Sequence, residues 1–128
     1  MSPELSVSIG GALLPNPVGV ASGTFGYGSE YEDLVELGAL GALYTKAVTL
    51  EPRQGNDVPR IVETPAGMLN SIGLANPGVE AFLATKLPAL LACPCPVIVN
   101  VAGATEEEYF EVLQRIEAAL GAPSGDSP

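Results

Sequence analysis

Apolar and polar positions follow two rhythms along this chain. Leu5 to Ile9 alternates at period two, and Gly10 with Gly11 separates it from Ala12 to Leu14, the pattern of a short β-hairpin. Pro15 and Pro17 then break the chain. Val18 to Gly23 is a short apolar run that ends in small residues. Two readings of it are open: a strand whose tip lies against a flat ligand, or a tight turn that needs small residues for steric reasons alone. Ser29 and Glu32 have capping-box spacing, Leu34, Val35 and Leu37 supply an apolar face, and Gly38 is a stop, so a helix is expected there. Ala39 to Thr49 reads as a strand, nearly continuously apolar through Tyr44, as in parallel sheets buried on both faces.

Glu51 to Ala75 has no helical period and is punctuated by Pro52, Gly55, Pro59, Pro65, Gly67 and Gly73. A loop of that length in a compact domain usually serves as a lid or binding loop. Arg60 to Glu63 is expected as a small excursion strand within it. Asn76 and Pro77 open the next helix as N-cap and first-turn proline. Val79, Phe82, Leu83, Leu87, Leu90 and Leu91 form its stripe, with a break at Pro88. Pro96 to Gly103 is a third buried strand. Thr105 and Glu108 make a second capping box, Tyr109, Leu113, Ile116 and Leu120 repeat at helical spacing, and Gly121 ends the helix.

A hairpin followed by three strand–helix units predicts an α/β fold with a parallel sheet, either doubly wound or part of a (β/α)8 barrel. No G-x-G-x-x-G follows the first strand, which disfavours a dinucleotide-binding sheet. Small and polar residues gather at the strand C-termini, in Ala21-Ser22-Gly23, Thr45-Lys46-Ala47 and Asn100 to Gly103. Both architectures bind ligands at that end. Lys46 divides evenly between two readings: a cation held inside the domain for an anion or electron-rich ring, or a strand-end lysine facing water.

Composition narrows the chemistry. The chain has 128 residues, one domain's worth, and 47% of them are hydrophobic, enough for a core. Its net charge of −10 argues against nucleic acid, which needs a basic footprint. The absence of histidine removes Ser-His-Asp and Cys-His catalysis and imidazole metal sites, and no metal site is expected. Cys93 and Cys95 are one residue apart, too close for a C-x-x-C signature, and read as reduced thiols of a cytoplasmic protein. Neither a signal peptide nor an apolar run of about 18 residues is present, so no membrane association is expected.

The motifs, taken together, resemble the class 1 dihydroorotate dehydrogenases. Asn16-Pro17, Ala21-Ser22-Gly23, Thr45-Lys46-Ala47, Pro59-Arg60, Gly67 to Leu74, Asn76-Pro77-Gly78 and Asn100 to Gly103 occur in that family's order, over roughly Leu5 to Leu120. Phe25 to Gly28 and Met68-Leu69 resemble the B-type enzymes, which pass electrons to NAD through a partner subunit, more than the fumarate-using A-type. The resemblance implies an FMN-dependent (β/α)8 barrel that oxidises dihydroorotate to orotate in pyrimidine (UMP) biosynthesis. By motif, Ala21, Ser22, Gly23, Lys46, Ala47 and Asn100 would contact FMN. Lys46, Asn70, Ser71, Ile72, Gly73 and Leu74 would contact the substrate. A homodimer and an electron-transfer subunit carrying FAD and an iron–sulfur cluster are the implied partners.

The resemblance also implies parts that this sequence does not contain. The family's fourth strand with two asparagines, its loop cysteine base, and the glycine-rich loops that grip the FMN phosphate have no counterpart, and neither Cys93 nor Cys95 matches the base. A barrel takes about 250 residues. The fold expected is therefore the N-terminal half of a TIM barrel over residues 1–120, preceded by a hairpin, with a polar tail over 121–128. The expectation is a truncated chain, inactive alone, with no catalytic base of its own. Two other readings remain: a non-catalytic half-barrel that binds a complementing chain, and a different pyrimidine-oxidising flavin barrel.

Overall fold

A computed structural model describes residues 5–121. The chain divides into two compact units: residues up to Ala47 with Ala84–Asn100, and Val48–Leu83 with residues from Val101 onward.

The first unit opens with the expected hairpin. β1 (Val7–Ile9) pairs antiparallel with β2 (Ala12–Leu14), and Gly10 and Gly11 take φ of 56° and 83°. Positive φ at both central positions is what a type I′ hairpin turn demands. Three short parallel strands follow, β3 (Gly19–Val20), β4 (Ala42–Tyr44) and β7 (Val97–Ile98), in the order β3-β4-β7. Register pairs Gly19 with Ala42 and Leu43 with Val97. Gly41 lies so close to the Asn16 carbonyl that a Cβ there would collide with it. Leu14, Leu40, Ala42, Leu43, Leu87 and Leu90 form the buried apolar centre of this unit. Between Thr85 and Leu87 the helical path is interrupted, as Pro88 predicts, giving α2 (Gly78–Thr85) and α3 (Leu87–Leu91). Leu91 of the expected stripe is exposed.

Two expectations for the first unit are corrected. Residues 29–38 do not form an α-helix; they form two 3-10 turns, Ser29–Tyr31 and Leu37–Ala39. The local bonds compete with the capping box. Glu30, not Glu32, folds back, accepting from the Tyr27 N–H at 3.0 Å. The Tyr31 hydroxyl donates to the Thr24 carbonyl, and its ring stacks on Phe25 with centroids 4.7 Å apart. Leu34 is left 79% exposed, so a helix there would lack the packing that sustains short helices. Second, Ser22 does not end a strand: Ser22–Phe25 is a single helical turn, α1, started from Ala21.

In the second unit the long loop carries more order than its sequence implies. β5 (Ile61–Thr64) pairs antiparallel with β6 (Gly67–Asn70), so the excursion strand is one arm of a hairpin turning at Pro65-Ala66. A parallel bridge joins Val48 to Val101, and an antiparallel one joins Arg53 to Asn76. The final helix, α4 (Glu106–Leu120), matches its sequence signals. The Thr105 hydroxyl accepts from the Glu108 N–H, and Gly121 closes the helix in the left-handed conformation. Its buried face, however, is Val112 and Ile116, while Tyr109, Leu113 and Leu120 are exposed. Of the expected stripe only Ile116 is buried. Val48, Val79, Phe82 and Val112, each 0% exposed, make up the centre of this unit. Arg115 links α4 to Glu80 of α2 at 2.7 Å and to Glu111 at 2.8 Å. Residues 122–128 of the expected tail lie outside the described residues.

Candidate functional site

The three parallel strands stop early, and the reason lies in side chains that take over from the ladder. The Thr45 N–H still donates to the Ile98 carbonyl at 3.0 Å. One residue later the partner changes, and the Lys46 N–H donates to the Gly26 carbonyl at 2.8 Å. Opposite, the Asn100 N–H donates to the Thr45 hydroxyl at 3.2 Å rather than to a main-chain carbonyl. That hydroxyl donates in turn to the Lys46 carbonyl at 3.0 Å. Thr45 is completely buried with both hydrogen-bonding capacities of its hydroxyl used. Buried hydroxyls need such partners, since an unmatched one costs about 1–3 kcal/mol.

This clamp brings expected site residues together. The Asn100 side-chain amide donates to the Ser22 hydroxyl at 3.3 Å, joining residues 78 positions apart. Ala21, Gly23 and Asn100 are exposed, Ser22 and Lys46 are half-buried, and Ala47 is buried. Ion pairs among the described residues both use Arg115, so none holds the Lys46 ammonium. Ser22, between Ala21 and Gly23, is thus tied to Asn100, and the Thr45 hydroxyl ties Asn100 to the main chain of Lys46. In the sequence Thr45 is part of a motif with no role of its own. A hydroxyl inside an otherwise apolar strand was the available signal.

Asn70 to Leu74 belong to the second unit. They line an open cleft of about 770 Å3 together with Arg53, Gln54, Gly55 and Asn56. Its walls are tied together by Asn56, whose amide nitrogen donates to the Ser71 carbonyl at 3.0 Å and the Ser71 hydroxyl at 2.8 Å. The Asn56 N–H also donates to the Ile72 carbonyl at 3.0 Å. Two glycines allow this approach. A Cβ on Gly55 would collide with the Ile72 carbonyl, and one on Gly73 would sit 2.7 Å from the Asn56 nitrogen. Arg60 braces the same turn through the carbonyls of Gln54 and Asn56. Arg53 and Asn56 were not among the expected site residues, because nothing in an irregular segment shows which distant positions will face each other.

Two of the lining residues, Arg53 and Leu74, are held by Asn76, which is buried to 8% exposure. Its side-chain oxygen accepts from the N–H groups of Thr49 and Gly78, and its nitrogen donates to the Thr49 hydroxyl and the Leu74 carbonyl. Its main chain exchanges two further bonds with Arg53 at 2.9 Å each. The residue expected as a helix cap therefore also holds the loop. No cluster of three or more metal-ligating side chains occurs among the described residues.

Comparison with known proteins bears on what these two surfaces are for. The family described as dihydroorotate dehydrogenase matches residues 4–122. The chain belongs to that family. Among curated relatives, the "Dihydroorotate dehydrogenase B (NAD(+)), catalytic subunit" of Pelobacter propionicus is 54% identical over 117 residues, covering 91% of this chain and 38% of that protein. The protein of the same description from Geotalea daltonii is 54% identical over 115 residues, covering 90% and 38%. The chain thus spans little more than a third of the length of the curated relatives it matches. The crystal structure of DHODH from Eimeria tenella in complex with ferulenol superposes with a TM-score of 0.72 at 24% identity, covering 92% of this chain and 35% of that one. At that identity the likeness speaks for the fold, which for this chain is α/β with parallel strands. No helix among the described residues is long and apolar enough to cross a membrane.

Proposed function

We propose that this chain supplies the first strand–helix units of a (β/α)8 dihydroorotate dehydrogenase of the B type, over residues 1–120. The reaction is oxidation of dihydroorotate to orotate in pyrimidine synthesis, in the cytoplasm. The observation that carries the reading is the Ser22–Asn100–Thr45 junction beside a half-buried Lys46 with no ion pair, in a chain of this family. FMN fits the residues present. A Cβ added at Gly23 would meet nothing within 4 Å, so the space over α1 is open to a flat ring. Ala21, Ser22 and Gly23 would lie along that ring, Ala47 would back it, and the exposed Asn100 amide would hydrogen-bond its edge.

FMN, when bound, takes up the two electrons that leave the substrate. Lys46 would hold positive charge against the ring and against the substrate carboxylate, where a preoriented cation is worth most in a site shielded from water. Asn70 would read the pyrimidine by donating and accepting, and Ser71, Ile72, Gly73 and Leu74 would complete the wall around it. Arg53 supplies a cation to the cleft lined by Asn70 to Leu74. No residue of this sequence is assigned as the proton acceptor. The partners proposed are a second copy and an electron-transfer subunit with FAD and an iron–sulfur cluster.

The protein from its native source, assayed for mass, flavin absorbance and dihydroorotate turnover, tests this. Bound flavin with turnover is the expected result, and Lys46→Ala should lower that turnover at least about 10²-fold. A colourless protein without turnover would overturn the reading. It would favour instead a non-catalytic fragment that docks on another chain, which the exposed Tyr109, Leu113 and Leu120 on α4 also suit.

A further inference from the structure

Cys93 and Cys95 lie at the entry to β7, the opposite end of that strand from Asn100, and the site described above uses neither. Their sulfurs are 3.6 Å apart, in van der Waals and weak hydrogen-bonding contact. The backbone holds them there from both sides. The Cys93 N–H donates to the Leu90 carbonyl at the end of α3, and the Pro96 carbonyl accepts from the Leu43 N–H of β4 at 2.9 Å. Pro94, between the two cysteines, has its φ locked by its ring and packs over Gly38, where a Cβ would lie 3.6 Å from the proline side chain. A pair held in contact by fixed backbone has little freedom left to lose on bonding. To bond, the sulfurs close from 3.6 Å to the roughly 2.05 Å of a disulfide.

We propose that Cys93 and Cys95 are a reversible dithiol–disulfide site, oxidised by small-molecule disulfides. The two thiols differ in a way that sets the order of events. Cys93 is half-buried and reachable, whereas Cys95 is buried at 6% exposure. The Cys93 sulfur attacks one sulfur of a small disulfide RSSR, giving Cys93–S–S–R and releasing one RSH, which carries off the Cys93 proton. The Cys95 sulfur then gives up its proton and attacks the Cys93 sulfur, forming the Cys93–Cys95 bond and releasing the second RSH. Two electrons and two protons pass from the protein to RSSR, and a dithiol such as dithiothreitol reverses both steps. Burial of Cys95 keeps its sulfur from competing for RSSR but leaves it in contact with Cys93. Because the pair sits at the other end of β7 from Asn100, its oxidation is expected to leave flavin absorbance unchanged in the protein as purified.

The test is oxidation of the folded full chain with oxidised glutathione, followed by acid quench, alkylation and intact mass measurement. The expected product is monomeric, has lost the mass of two hydrogens, alkylates at neither cysteine, and returns to two alkylated thiols after dithiothreitol. Cys95→Ser should stop at the first step and accumulate one glutathione on Cys93. Cys93→Ser should leave Cys95 a free thiol. A wild-type chain that retains glutathione, links to a second chain, or keeps both thiols free would overturn the proposal.

Discussion

Thr45 shows how one hydroxyl decides what a strand end is for. Its neighbours Leu43 and Val48 are apolar and completely buried, and its own burial is tolerated because Lys46 and Asn100 satisfy it. Thr45→Val keeps the shape and removes both bonds, leaving the Asn100 N–H without its acceptor. A loss of about 1–3 kcal/mol is expected in urea unfolding, with Thr45→Ser recovering most of it. Equal stability of the valine and serine variants would show that the clamp carries no load. The cysteine pair gives a second prediction at this scale. Burial, and then its contact with the Cys93 thiol, pushes the Cys95 thiol up to about 11. A raised thiol pKa means less thiolate at a given pH, roughly one part in a thousand at pH 8. Cys95 should therefore alkylate far more slowly than Cys93, and its rate should still be climbing about tenfold per pH unit between pH 8 and 9. Mass spectrometry of time-quenched iodoacetamide reactions checks both statements.

Among the elements, the segment from Glu51 to Ala75 departs furthest from its sequence appearance. Prolines and glycines made it look irregular, yet it holds the β5–β6 hairpin and a cleft braced by Asn56, Arg60 and Asn76. Asn76 matters most, since removing its amide leaves the Thr49 and Gly78 N–H groups and the Leu74 carbonyl short of a partner. Asn76→Ala is expected to cost about 2–3 kcal/mol in denaturant unfolding, more than a lost helix cap at about 1 kcal/mol. A cost no larger than that of Thr105→Ala at the α4 cap would mean that Asn76 serves only as a cap. The failed helix over residues 29–38 teaches the converse lesson. Its capping box was real in spacing, but Tyr27, Thr24 and Phe25 offered Glu30 and Tyr31 nearer partners.

At the scale of the whole molecule, charge and exposed apolar surface pull in different directions. A net charge of −10 keeps molecules apart in solution. Against this, Met68 and Leu69 on β6, and Tyr109, Phe110, Leu113 and Leu120 on α4, are all exposed. Apolar surface of that extent is a mark of interaction sites. This chain by itself is expected to bind the dye ANS, and Leu69→Lys with Leu113→Lys to reduce that binding markedly. A fluorescence titration that finds no binding in the unsubstituted chain would refute the expectation.

Local signals were enough wherever the physics is local. The hairpin at Gly10-Gly11, the Pro88 break, the Thr105 cap and the Gly121 stop depend on neighbours a few residues away, and each is legible in the sequence. So is the family, because several short motifs in fixed order, Thr45-Lys46-Ala47 and Asn100 to Gly103 among them, are jointly specific. What spacing could not show is which distant polar groups would meet. The bond between Ser22 and Asn100, the Asn56 tie to Ser71, and the choice of Val112 over Tyr109 as the buried face of α4 were decided only by tertiary structure. Each joins or buries groups far apart in the chain, where a hydrogen bond or an apolar contact is settled by what the rest of the fold brings within reach.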